Sequence, residues 1–219
     1  GAKSMLSEMA DWVEPGRMRP GQTERELALD LDMEMRRRGA EKASFDVIVA
    51  GGPRAALPHA KPTDRPLGRG ELVLIDYGAV LKGYCADETV TIARGPLPDE
   101  DRRIYYIVKE AHDRAIEAIR PGAIIKAVDG VARQVIDNAG FGPAFSHGTG
   151  HGVGLAVHEP PRLSQHGEGT LEEGMVVTVE PGIYLPGRLG VRIEDMVLVE
   201  KDGCRLLTKT SKELRMIDI

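Results

Sequence analysis

Apolar residues recur at helical spacing between Asp99 and Ile119, at Ile104, Ile107, Val108, Ala111, Ala115, Ile116 and Ile119, which predicts one long amphipathic helix. An earlier segment, RPGQTERELALDLDMEMRRRGA, predicts another. Thr23 followed by Glu26 fits a capping box, Leu27, Leu29, Leu31, Met33 and Met35 make the body mostly apolar, and Gly39 closes it. Residues 5–13, MLSEMADWV, read as a short helix ended by Pro15-Gly16. Strand patterns are equally plain. FDVIVAGG (45–52) ends in a glycine bend, and ELVLIDYGAV (71–80) and GYCADETVTIA (83–93) are two strands joined by a tight turn near Leu81-Lys82-Gly83. Between them, residues 53–66 are loop-like and carry His59.

This order of elements then returns. Arg120-Pro121-Gly122 repeats Arg19-Pro20-Gly21, the following helix ends at Gly140 as the first ends at Gly39, Phe145 answers Phe45, and His158 answers His59. GMVVTVEPGIY (174–184) echoes GELVLIDYGA (70–79), with Glu180 in the place of Asp76, and each half adds a hairpin partner carrying an acid, Asp87 or Glu194. Self-similarity in this order argues for two copies of one helix–strand–hairpin unit, spanning about 14–98 and 115–208 of a single domain. Paired about a local twofold, they predict an α+β fold: a curved, mostly antiparallel sheet, helices outside, and a cleft lined by equivalent residues.

Composition narrows the setting. Hydrophobic content of 42% and charged content of 29% belong to an ordinary globular protein. No apolar run reaches the roughly 18 residues of a membrane span. The opening GAKSMLSEMADW is too polar for a signal peptide. A net charge of −5 gives no footprint for nucleic acid. Cys85 and Cys204 are too few for a disulfide framework, so a reducing, cytoplasmic location is expected. The first residue is not Met, and Gly1-Ala2 reads as a processing scar on part of a longer protein.

The chemistry concentrates in SHGTGHGVGLAVHEPP (146–161), which carries His147, His151, His158 and Glu159 among glycines at every second position from 148 to 154. Absent side chains there let backbone or ligand approach closely. Asp76 and Glu180 each end an apolar run, where a carboxylate needs a partner. Asp87 follows Asp76 by eleven residues in the return strand, where a hairpin brings the two side chains opposite each other on one face; Glu194 follows Glu180 by fourteen, and alternation in VRIED puts Arg192 and Glu194 on one face. Singly, Asp76 reads as a turn former, Glu180 as a cap before Pro181-Gly182, and Glu194-Asp195 as a solvated edge. As a symmetric set, four converging carboxylates must take up protons or bind cations. Two divalent ions fit their charge, and oxygen donors with one imidazole suit Mn²⁺, Co²⁺, Fe²⁺ or Zn²⁺.

IDYG, CADET, HGTGHGVGLAVHE, TVEPGIY and GVRIED together closely resemble the Xaa-Pro aminopeptidase/prolidase group of the pita-bread (M24-type) metallopeptidases, from about Arg19 to the C-terminus. The resemblance implies the pita-bread fold and a dinuclear site, Mn²⁺ foremost, bridged by water or hydroxide and held by Asp76, Asp87, His151, Glu180 and Glu194. It implies hydrolysis of the bond between an N-terminal residue and proline in a peptide or dipeptide. Glu180 would orient or deprotonate the water; His59 and His158 would contact substrate and stabilise the intermediate or leaving nitrogen; His147 would lie near the substrate end. Arg192, also a substrate contact, would with Tyr184 steady the Asp76 side from behind. If His151 and His158, seven residues apart, both line the cleft, the glycines between must bend or bulge the chain.

Two departures stand out. Where this group reads like S-D-x-T-R-T, the chain has ADETVT, with Val90 in place of Arg and Glu88 as an extra acid. The creatinase-like N-terminal domain of full-length members, which walls the cleft and contributes to dimerisation, is expected to be absent, although a homodimer remains compatible. Two alternatives fit less well. A methionine aminopeptidase-type exopeptidase is disfavoured by the His147–His151 pair and the short Glu180–Glu194 spacing. A non-catalytic pita-bread peptide- or protein-binding module is disfavoured because all five ligand positions are filled.

Overall fold

In the computed structural model, which describes residues 18–218, helix α1 (Glu24–Arg37) begins at the capping box. Thr23 Oγ1 accepts from the Glu26 N–H at 3.2 Å, and the Glu26 carboxylate accepts from the Thr23 N–H at 2.9 Å. Leu27, Leu31 and Met35 are buried at helical spacing. Leu29 and Met33, read as part of the same apolar body, are 57% and 49% exposed, because a 3.6-residue period turns them off the buried stripe. The helix expected over 5–13 lies outside the described residues.

After α1 come β1 (Lys42–Ala43), β2 (Ile48–Gly51), a 3-10 turn (Gly52–Ala56), β3 (Glu71–Tyr77), β4 (Ala79–Leu81), β5 (Tyr84–Cys85), β6 (Glu88–Arg94) and α2 (Asp99–Glu117). The second half runs through α3 (Ile125–Asn138), a second 3-10 turn (Gly142–Ala144), β7 (Gly150–Gly152), β8 (Glu159–Leu163), β9 (Val176–Val179), β10 (Gly182–Leu185), β11 (Leu189–Arg192), β12 (Asp195–Glu200), β13 (Gly203–Leu206) and β14 (Met216–Ile217). Each long expected strand of the first half therefore breaks once. The tight turn at Lys82 (φ 52°) and Gly83 (φ 76°) joins β4 to β5, which pair with β1 in a small sheet. The larger strands β3 and β6 pair directly, Asp76 opposite Thr89. Asp87 lies just outside that ladder, on the Thr89 face by alternation, so it meets Asp76 diagonally and not squarely.

Two larger sheets carry the fold, β14-β6-β3-β2 and β13-β12-β9-β7-β8, with β10-β11 as a separate ribbon. Pairing is antiparallel except for β14 alongside β6. β3 is buried on both faces, which explains its unbroken apolar run. Val73, Ile75 and Tyr77 pack with Leu27, Leu31 and Met35 of α1, whereas Leu72 joins the cluster of α2 and Leu74 packs near Tyr184. That second face is the one that carries Asp76. α2 and α3 cover the other half: Ile104, Val108, Ala111, Val128, Ala132 and Ile136 pack against Val177, Val179, Val191 and Ile193. Residues 207–215 then cross from β13, at the edge of one large sheet, to β14, at the edge of the other. Among the described residues no helix is long and apolar enough to cross a membrane.

Candidate metal centre

The expected site residues meet in one cleft. A cavity of about 1120 Å³ is lined by Asp76, Asp87, Glu180 and Glu194, by His59, His147, His151 and His158, and by Arg162 and Arg192. Ligand atoms of Asp87, His151 and Glu194 lie within 4.8 Å of one another. His151 Nε2 is 3.2 Å from Glu180 Oε1 and 3.7 Å from Asp87 Oδ2. Its Nδ1 donates to the Gly152 carbonyl at 3.0 Å, which turns Nε2 toward the carboxylates.

β7 reaches this position through close backbone contacts. A Cβ at Gly150 would collide with the Thr178 carbonyl, and one at Gly152 with the Pro160 carbonyl. The glycine alternation thus serves the approach of neighbouring strands. The pairing of β7 with β8 shifts register between His151 and Gly152, since His151 faces Arg162 while Gly152 faces Glu159. The irregularity falls at Pro160-Pro161, opposite the glycines, and it returns the chain so that the His151 and His158 rings sit 4.4 Å apart.

VRIED is not one strand: β11 ends at Arg192 and β12 begins at Asp195. Arg192 and Glu194 still share the cleft side, with Val191 and Ile193 in the core. Arg192 Nη2 donates to Asp76 Oδ2 at 2.6 Å, and its Nη1 donates to Tyr184 Oη at 2.9 Å and to the Pro58 carbonyl at 3.1 Å. Tyr184 in turn donates to His147 Nε2 at 2.7 Å, because His147 Nδ1 donates to the Gly148 carbonyl. Burial pushes the Tyr184 hydroxyl up to about 12 and lowers His147.

The electrostatics call for cations. Burial, then repulsion from Asp76 and Glu180, holds Asp87 well above the usual carboxylate range. Burial, then Asp87, Glu180 and Asp76, does the same to Glu194. Burial also raises Asp76, against the opposing pull of Arg192. Glu180 goes the other way: burial works against its charge, but His151, helped by His147 and Arg192, brings it down to about 2. Buried Asp76 Oδ1 and Glu194 Oε1 have no hydrogen-bond partner among the described residues. Two unmatched acceptors, one from each half, beside further carboxylate oxygens and one imidazole nitrogen form a donor set that fits divalent cations.

Several supports of the site carry little mark in the sequence. Thr89 Oγ1 donates to Glu194 Oε2 at 2.6 Å and accepts from Arg192 Nε at 3.1 Å, while Thr91 Oγ1 donates to the Arg192 carbonyl at 2.8 Å. Their period-two spacing from Asp87 was the available signal. Glu24 accepts from the Gly51 and Thr63 N–H groups and from Arg54, fixing the loop that carries His59. Asp129 accepts from the Thr149 N–H and pairs with Arg133, whose Nη2 donates to the His147 carbonyl. Arg162, exposed on the cleft wall opposite His151, had no signal, because only the register of β7 and β8 places it there.

A fold of two linked sheets with an acid-and-imidazole focus between its halves defines a metallopeptidase class. The chain belongs to metallopeptidase family M24, whose sequence model matches residues 2–201. It has the pita-bread fold of that family. It is 50% identical over 194 residues to a Xaa-Pro dipeptidase of Pyrococcus furiosus, covering 89% of this chain and 56% of that protein. Its structure is similar to the X-Pro aminopeptidase of Thermotoga maritima (TM-score 0.94, 42% identity, 100% of this chain and 61% of that one). It is also similar to the prolidase of P. furiosus (TM-score 0.91, 46% identity, 96% and 62%). The chain spans little more than half the length of the curated relatives it matches.

Proposed function

We propose that this chain carries the catalytic site of a metal-dependent peptidase that hydrolyses the bond between an N-terminal residue and proline. The observation that carries this reading is the convergence of Asp76, Asp87, His151, Glu180 and Glu194 at the floor of a cleft with three further imidazoles on its lining. It is supported by the Xaa-Pro dipeptidase and prolidase names of the relatives. In this reading those five residues hold two divalent cations, Mn²⁺ foremost. Such a pair, once bound, polarises a carbonyl and acidifies water.

The protein's own groups do the rest. Glu180, oriented by Thr178 Oγ1 at 3.2 Å, takes the proton of the attacking water. His59 and His158, both exposed in the cleft, donate to the oxygen that becomes negative or to the departing proline nitrogen. Arg192 is committed to Asp76, Tyr184, Thr89 and the Pro58 carbonyl, so its role is to orient Asp76 and not, as also expected from sequence, to bind substrate. Arg162 is the better cation for substrate binding, since no hydrogen bond or ion pair engages it among the described residues and it lines the cleft. In this reading it takes the C-terminal carboxylate of a dipeptide, and His147 lies near the substrate end of the cleft. The chain is read as one domain of two equivalent halves, in a cytoplasmic protein compatible with a homodimer; its two free cysteines agree with a reducing location.

Purified protein reconstituted with Mn²⁺ tests the reading directly. It should cleave Ala-Pro in preference to Met-Ala; preference for Met-Ala would move it to the methionine aminopeptidase type, and no hydrolysis with any divalent ion would make it a binding module. Arg162→Ala should raise KM for Ala-Pro more than for a longer Xaa-Pro peptide, and equal effects would remove Arg162 from carboxylate recognition.

A further inference from the structure

Glu88, which reads from the sequence as an extra acid beside Asp87, faces away from the cleft. Successive residues of a strand point to opposite faces, so Glu88 lies behind Asp87, and Asp195 lies behind Glu194 in the same manner. Both backs meet one cation. Lys212 Nζ is 2.6 Å from Glu88 Oε1 and 3.3 Å from Asp195 Oδ1, and all three side chains are buried. Tyr77 Oη donates to Glu88 Oε2 at 3.3 Å, Thr208 Oγ1 donates to Asp195 Oδ1, and Tyr105 Oη donates to the Lys212 carbonyl at 3.1 Å. Lys212 sits midway along the crossing stretch 207–215, between the strand that pairs with β12 and the strand that pairs with β6.

The placement matters because no ladder joins β6 to β12. They belong to different sheets, flanked by β14 and β3 in one and by β13 and β9 in the other. Yet Asp87 stands at the start of β6 and Glu194 at the start of β12, and their ligand atoms must come within reach of one ion. On the cleft side the seam is closed by the Glu194 N–H donating to the Thr89 carbonyl at 3.1 Å and by Thr89 Oγ1 on Glu194. On the far side it is closed by Lys212. A buried ion pair is a poor source of stability compared with apolar packing, but it can set register where two elements share no backbone ladder.

We propose that Lys212 is a positioning residue of the metal centre, clamping Glu88 and Asp195 so that Asp87 and Glu194, from opposite halves, keep the spacing needed to share a cation. The inference rests on the ligand assignment above. Its test compares wild type, Lys212→Met, Lys212→Arg and Glu88→Gln as metal-free proteins titrated with Mn²⁺. Calorimetry reads stoichiometry and Kd, electron paramagnetic resonance reads the coupled pair, and circular dichroism checks the fold. Wild type should take two ions with a coupled signal. Lys212→Met should weaken the second ion by about tenfold or more and lose the coupled signal, with kcat for Ala-Pro falling more than KM rises. Lys212→Arg should restore most of it. If Lys212→Met does not fold, Glu88→Gln, which keeps an acceptor for the ammonium, should weaken the second ion in the same direction. Wild-type Mn²⁺ affinity and coupling in Lys212→Met, or in Glu88→Gln where Lys212→Met does not fold, would overturn the clamp. A wild type that binds no Mn²⁺ would instead overturn the ligand assignment itself.

Discussion

Asp87 and Glu194 show the demand a single side chain can make: both are buried, and each is repelled by the carboxylates around it. Asp87→Ala or Glu194→Ala should therefore abolish nearly all turnover and remove at least one metal ion, as read by elemental analysis, while the fold persists. Unchanged activity in either would break the assignment. His59→Ala should lower kcat with metal content preserved, since His59 is exposed and lines the cleft outside the close ligand cluster; loss of metal would show its role misplaced. These residues were legible because a carboxylate or imidazole among apolar and glycine positions needs a chemical reason. Arg162 and Lys212 were not, and Thr89 was marked only by its period-two spacing from Asp87. A threonine in a strand or a lysine near a terminus is ordinary until the fold shows what it touches.

Among the elements, α1 was readable down to its cap. Thr23→Ala should cost about 1 kcal/mol, measured by denaturant melts, because the helix end loses its side-chain acceptor and the reciprocal box with Glu26. Leu31→Ala should cost about 2–5 kcal/mol, as Leu31 is fully buried against β3 and β6, whereas Leu29→Ala, on the exposed side, should change stability little. Strand breaks were less readable. The chain interrupts ELVLIDYGAV and VRIED because it moves there from one sheet to another, and apolar alternation carries no mark of that switch. The expected break between His151 and His158 comes at the His151–Gly152 step, and its extra residues, Pro160 and Pro161, lie in the partner strand.

At the scale of the molecule, the seam between the halves holds buried charge from α2, β6, β12 and the C-terminal crossing. His112 on α2 lies in it, with Nδ1 3.1 Å from Asp113 and Nε2 3.2 Å from Asp195, the latter out of line for a hydrogen bond and so a contact of charge. Burial disfavours its imidazolium and Lys212 repels it, but the two carboxylates outweigh both and raise it above the ordinary 6.5. A raised folded value means that its contribution is whole below that ordinary value and fades as pH climbs through the raised one. The Tm difference between wild type and His112→Gln should thus be largest near pH 6 and shrink toward pH 8. A difference independent of pH would exclude the charged pair.

The sequence by itself determined the order of the elements and the acids and imidazoles that line the cleft, because periodicity, caps and misplaced carboxylates are local signals. Tertiary structure alone decided which neighbours answer them. Sheet membership, the β7–β8 register and the path of residues 207–215 place Thr89, Arg162 and Lys212, and each depends on contacts between segments far apart in the chain. Such contacts follow from the packing of whole elements, so no window of sequence contains them.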